Sequence, residues 1–187
     1  MIRRTVITLL ATVAMALTFL GGTAVAAPQP PDVGVAAVTI TYSDSQAGEF
    51  VNAVAEGVAI WNARVTNVQI RRAAPGTRAD VTVIADDGWP RATLGPVRPG
   101  GRGTVWMGRQ AVNQGYSVVR IAAHEFGHIL GLPDRKPGPC SSLMSGSSAG
   151  VACTNPIPNS TEISGVQNAY RNGLVATTAD TGMVIVD

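Results

Sequence analysis

Apolar and polar residues alternate along Val38-Thr39-Ile40-Thr41-Tyr42, a period of two that predicts a half-buried strand. The period then lengthens. Phe50, Val54, Val58, Trp61 and Val65 recur every three or four residues, the stripe of an amphipathic helix facing a core. Val68-Gln69-Ile70 and Asp80-Val81-Thr82-Val83-Ile84 predict further strands, whereas residues 88–103 are dense in Gly, Pro and Arg and predict a loop. A short strand comes next at residues 103–108, just ahead of a helix over residues 117–130 whose apolar contacts come from Val118, Ile121, Ala122 and Ile129. Residues 140–159 are rich in Gly, Ser and Pro and too long to be a simple connection, so an ordered loop is expected. Asn159 with Glu162 three residues later is an N-cap signature for a last helix reaching about Asn172, closed by Gly173. Residues 174–187 carry no such pattern; flexibility is the expectation there, with no role assigned.

The N-terminus changes the address of the chain. Met1-Ile2-Arg3-Arg4 is basic, residues 6–20 are apolar, and Ala24-Val25-Ala26 has the small-x-small form of a cleavage site, so residues 1–26 read as a secretory signal peptide. The apolar run is short for a bilayer span, and no stable membrane association is expected once it is removed. Residues 27–36, with Pro28, Pro30 and Pro31, read as a short pro-segment. The rest of the chain is long enough for one domain with a real core, placed at residues 37–173. The precursor has 14 basic and 12 acidic residues, and losing Arg3 and Arg4 brings the two counts level. Its basic character is therefore no argument for nucleic-acid binding, and none is expected. The chain has 2 cysteines, and in an exported protein the one available pairing is Cys140 with Cys153. Closing so short a loop stabilises by about 3 kcal/mol in the chain-entropy picture, and it would pin the turn that carries Met144.

The chemistry concentrates in residues 124–134, which hold both histidines of the chain: His124-Glu125-Phe126-Gly127-His128-Ile129-Leu130-Gly131-Leu132-Pro133-Asp134. Two His four apart on a helix share a face, so both imidazoles reach one ion. Glu125 lies about 100° around the helix from His124, close enough to act on a water without being a ligand. That is the zinc-peptidase arrangement of ligands and general base. Gly131 can close the helix and Pro133 cannot continue it, so the chain can turn and bring Asp134 back as a third, oxygen ligand. Two other readings stay open. Glu162, on the last helix, could replace Asp134 as third ligand; alternatively the chain is an exported zinc-containing binding module whose metal only holds the fold. Asp86-Asp87 is too sparse to argue a calcium site.

The motif His-Glu-x-x-His-x-x-Gly-x-x-Asp, with Gly138-Pro139-Cys140, Leu143-Met144-Ser145-Gly146, Cys153-Thr154-Asn155-Pro156 and Pro158-Asn159, resembles the snapalysin family of small secreted zinc endopeptidases. The resemblance spans about residues 37–173 and implies an α+β, metzincin-like fold: a small mixed twisted sheet, an N-terminal helix, an active-site helix and a C-terminal helix. It further implies an endopeptidase acting on proteins or peptides, with preference for an aromatic residue just after the cleaved bond; an extracellular location, one catalytic Zn²⁺ and a monomer are expected alongside. By the same likeness Met144 would lie beneath the ligands, and Val105, Trp106 and Met107 would be the edge strand that pairs with substrate. One departure stands out. Where relatives have Asp-x-Tyr, this chain has Asp134-Arg135-Lys136, so Lys136 is the candidate to support the oxyanion.

Overall fold

The alternating residues of the first strand segregate as their period requires: Val38, Ile40 and Tyr42 are buried while Thr39 is exposed. The computed structural model describes residues 37–171 and 182–187. The signal peptide and pro-segment readings, and the helix stop at Gly173, lie outside these residues. Strands β1 (Val38–Gln46), β2 (Val68–Arg72), β3 (Val81–Asp86), β4 (Arg91–Thr93), β5 (Gly103–Gly108) and β6 (Val184–Val186) form one six-stranded sheet in the order β2-β1-β3-β5-β4-β6. The first four in that order run parallel, with Val38 opposite Val68 and Val83 opposite Val105. β4 reverses direction against β5, and β6 reverses against β4. The sheet is therefore mixed, as an α+β fold implies.

Helix α1 (Val51–Asn62) buries Val54, Val58 and Trp61 and packs on α3 (Val118–Ile129). Their closest approach is at Gly57, where a Cβ would lie 2.8 Å from the Ala123 nitrogen of α3. Glycine is required at that crossing. Trp61 fixes the same crossing by donating from Nε1 to the Ala123 carbonyl at 2.8 Å. On the other side Phe126 of α3 meets Tyr42 of β1 edge to face, with ring centroids 5.8 Å apart. The helix is thus clamped between α1 and the sheet before any ligand is considered.

Short helix α2 (Arg109–Asn113) follows β5, and α4 (Ser160–Ala169) begins at Asn159. The capping box is formed: the Asn159 side chain accepts from the amides of Thr161 and Glu162, and Glu162 accepts from the Asn159 amide. Residues 140–159 form an ordered loop containing a 3-10 stretch at Leu143–Ala149, closed by the Cys140–Cys153 disulfide with its Cα atoms 5.5 Å apart. No helix among the described residues is long and apolar enough to cross a membrane.

Three features depart from the pattern-based expectation. β4 lies in the Gly/Pro/Arg-rich segment read as loop; three residues are too few to show a period. β5 is not an edge strand, because β3 and β4 flank it and Val105 and Met107 are fully buried. The proposed substrate edge at Val105, Trp106 and Met107 is therefore corrected: Val105 and Trp106 pair with β3 on one side and β4 on the other, Met107 pairs with β3 and is fully buried, and Trp106 is half-buried under Arg91. The third is β6, an edge strand formed by the tail expected to be flexible.

Candidate metal centre

Ser117 starts α3 by accepting from the Arg120 amide, and ten consecutive residues from Arg120 to Ile129 are buried. The helix ends in a Schellman motif. Gly131, at φ +99°, takes the left-handed position; its amide donates to the His128 carbonyl and the Leu132 amide donates to the Gly127 carbonyl. This turn reverses the chain and brings Asp134 back to the helix. Asp134 Oδ1 lies 3.3 Å from His124 Nε2 and 3.5 Å from His128 Nε2.

The other ring nitrogen of each imidazole is committed. Nδ1 of His124 lies 2.9 Å from the Leu143 carbonyl, and Nδ1 of His128 lies 2.7 Å from the Leu132 carbonyl. A carbonyl only accepts, so both Nδ1 atoms carry the proton and both Nε2 atoms present a lone pair to the same point. His124 Nε2, His128 Nε2 and Asp134 Oδ1 are buried and have no hydrogen-bond partner among the described residues. Two lone pairs and a carboxylate oxygen, all within 4.8 Å of one another, form a donor set of the kind a divalent cation satisfies. A borderline-soft ion such as zinc fits two nitrogens and one oxygen better than a hard ion does.

Glu125 is the neighbouring puzzle. It is fully buried, and neither carboxylate oxygen has a hydrogen-bond partner among the described residues. Burial, aided by Asp187 and Asp134, raises its pKa to about 8 against the opposing pull of His124 and Lys136. At His124, burial works against the charged form, but Asp134, Glu125 and Asp187 together outweigh it and raise the pKa to about 9, so a proton competes with a cation for the Nε2 lone pair. Asp134 is pushed the other way: burial favours its neutral form, and the two histidines overcome this and keep it ionised.

Met144 is buried directly beneath α3; a Cβ added to Gly127 would lie 2.5 Å from its sulfur. Its immediate effect on the site comes through its neighbour Leu143, whose carbonyl orients His124. That loop is held in turn by Glu162, which accepts from Ser142 Oγ at 2.7 Å, the Leu143 amide at 3.2 Å and the Met144 amide at 2.9 Å. Glu162 is thus occupied as a brace and lies outside the donor cluster, so the reading of it as third ligand is corrected. Lys136 reaches the cluster, with Nζ 3.2 Å from Asp134 Oδ2 and 2.8 Å from Asp187 Oδ1. Asp86 and Asp87 do not converge: Arg91 takes the first and Arg109 the second.

Two participants were missed by sequence reasoning. Arg120 is buried and donates to the carbonyls of Asn155, Ser142 and Leu143 and to Ser145 Oγ, tying the loop to the helix. Its place one turn before His124 on the same face was the available signal. Asp187, 3.7 Å from His124 Nε2, had none.

Over residues 37–173 the chain matches the model of the Streptomyces extracellular neutral proteinase (M7) family. Among curated relatives, the extracellular small neutral protease of Streptomyces coelicolor is 40% identical over 157 residues, 84% of this chain and 71% of the relative. The protein of that name from Streptomyces caespitosus is 43% identical over 136 residues, 73% of this chain and 99% of the relative. Its namesake from Streptomyces sp. (strain C5) is 42% identical over 141 residues, 75% of this chain and 60% of the relative.

Proposed function

This chain belongs to the Streptomyces extracellular neutral proteinase family, and from that premise we propose that it is a secreted zinc metalloendopeptidase. The observation that carries the reading is the convergence of three buried ligand atoms beside a buried carboxylate, all without hydrogen-bond partners among the described residues. His124, His128 and Asp134 would hold the ion, which supplies Lewis acidity for activating water and polarising the peptide carbonyl. Glu125 takes the proton of the attacking water and delivers it to the leaving amine. Its burial beside the ligand atoms, with neither oxygen hydrogen-bonded among the described residues, leaves it free to take and return that proton. The carbonyls of Leu143 and Leu132 hold the imidazoles in the ligating tautomer, and Met144 fills the space under them. Lys136 supplies positive charge close to Asp134 and supports the oxyanion.

A cavity of about 540 Å³ opens beside Asp134, with Pro137, Pro139 and Asn159 in its wall. It has room for a large substrate side chain; the preference for an aromatic residue after the scissile bond rests on the family resemblance. The rival, a binding module with a purely structural metal, leaves the buried Glu125 without a purpose. Cleavage of casein should disappear on chelation and return with added zinc. Hydrolysis that continues undiminished in chelator would sink the metallopeptidase reading.

A further inference from the structure

We propose that residues 183–187 are an internal inhibitor, an occupant of this protein's own substrate edge that must leave before a polypeptide can be cut. The inference rests on the peptidase reading. β4 packs on α3, the helix that carries His124 and His128, and its outer side is not taken by the core of the sheet, since β5 covers only its inner side. β6 takes that outer side antiparallel, with Arg91 opposite Val186, Ala92 opposite Ile185 and Thr93 opposite Val184. The pairing extends past both ends of the strand: the Leu94 amide donates to the Met183 carbonyl at 2.7 Å, and the Asp187 amide donates to the Pro90 carbonyl at 3.0 Å. An added strand of this kind is how a sheet edge binds an extended peptide.

Side-chain burial distinguishes this seat from ordinary core packing. Met183 is 55% exposed, Val184 44% and Val186 56%, so the strand is held by backbone bonds and little apolar surface. Such a segment sits at the low-stability end of a structure and can open without unfolding the rest. The exception is Asp187, whose side chain is only 6% exposed. Its Oδ1 accepts from the Ser147 amide at 3.0 Å and pairs with Lys136 at 2.8 Å, facing His124 and Glu125. Space for it exists because position 146 is glycine; a Cβ there would overlap Oδ1. A carboxylate among the zinc-ligating and base residues competes with both the attacking water and the substrate carbonyl, and it occupies Lys136 as well. Because the competitor is tethered, its effective concentration exceeds what a free peptide would reach.

The full chain is compared with a chain lacking residues 182–187, both loaded with zinc, by casein kinetics and by amide hydrogen exchange. A full-chain variant, Ile185→Pro, is measured alongside, since proline opposite Ala92 breaks the strand pairing. Both changes should raise kcat/KM about tenfold, the factor for a cleft free roughly one-tenth of the time. Both should also speed exchange at the Leu94 amide by a similar factor, a readout that needs no catalysis. The peptide Met183–Asp187, added back, should inhibit the shortened chain competitively. Equal cleavage by all three proteins, within about twofold, overturns the inference and leaves the peptidase reading intact. Unchanged exchange at Leu94 overturns it too. Failure of all three to cleave with zinc supplied overturns both readings.

Discussion

Glu125 carries a contradiction that only function resolves. Burying a carboxylate without hydrogen bonds is costly, and a stability-minded sequence would place an apolar residue there. The cost appears as the pKa raised to about 8. Glu125→Gln removes the titration and keeps the shape. The expected variant retains zinc, measured by atomic absorption, and loses roughly 10²- to 10⁴-fold in kcat. Near-normal turnover in a zinc-loaded Glu125→Gln protein would strip Glu125 of its role as base. The cluster around Glu125 was legible in sequence because His124, Glu125, His128 and Asp134 fall within one helix and its closing turn, where local geometry fixes relative positions. Asp187 was not legible, since its approach depends on strand pairing between residues nearly a hundred positions apart in the chain.

The loop under the candidate metal centre shows how an element is held by a residue that looks like a ligand. Residues 140–159 have no period of their own, so their conformation is imposed from outside. Glu162 does this from the first turn of α4, where it also serves the capping box, and Arg120 does it from α3. Glu162→Ala leaves the Leu143 and Met144 amides buried without acceptors, at a cost of roughly 2–4 kcal/mol. The variant should unfold at lower denaturant yet still bind one zinc, whereas Asp134→Ala should lose the metal. Loss of zinc from Glu162→Ala with unchanged stability would restore it as a ligand. At this scale the sequence is readable where a pattern repeats. The stripe of α1 and the alternation of β1 both reach the structure. β4 and β6 are short and held by backbone partners, and the order of strands in a sheet is not written in any one strand. That is why β5 could pass for an edge.

Across the whole domain, Tyr170 joins parts far apart in the chain. It caps α4, its ring lies under Arg98 with the guanidinium 4.6 Å from the centroid, and its hydroxyl donates to the Val97 carbonyl at 2.7 Å. The Val97 amide donates to the Ile129 carbonyl at the end of α3, so the last helix braces the turn that delivers Asp134. Tyr170 is fully buried, and burial pushes its phenol above the ordinary range, against a smaller opposing pull from Arg98. A folded-state pKa above the unfolded one gives stability that is complete below the unfolded value, about 10, and drains away as pH climbs past it. Tyr170→Phe removes that dependence and one hydrogen bond, at about 1 kcal/mol near neutral pH. Urea unfolding of both proteins between pH 8 and about 11.5 should therefore show the gap between them closing above pH 10, by up to roughly 1.4 kcal/mol per pH unit, and then reversing. Curves that stay parallel would mean that the phenol is free to ionise in the folded state, and that the brace between α4 and the turn that delivers Asp134 is looser than its geometry implies.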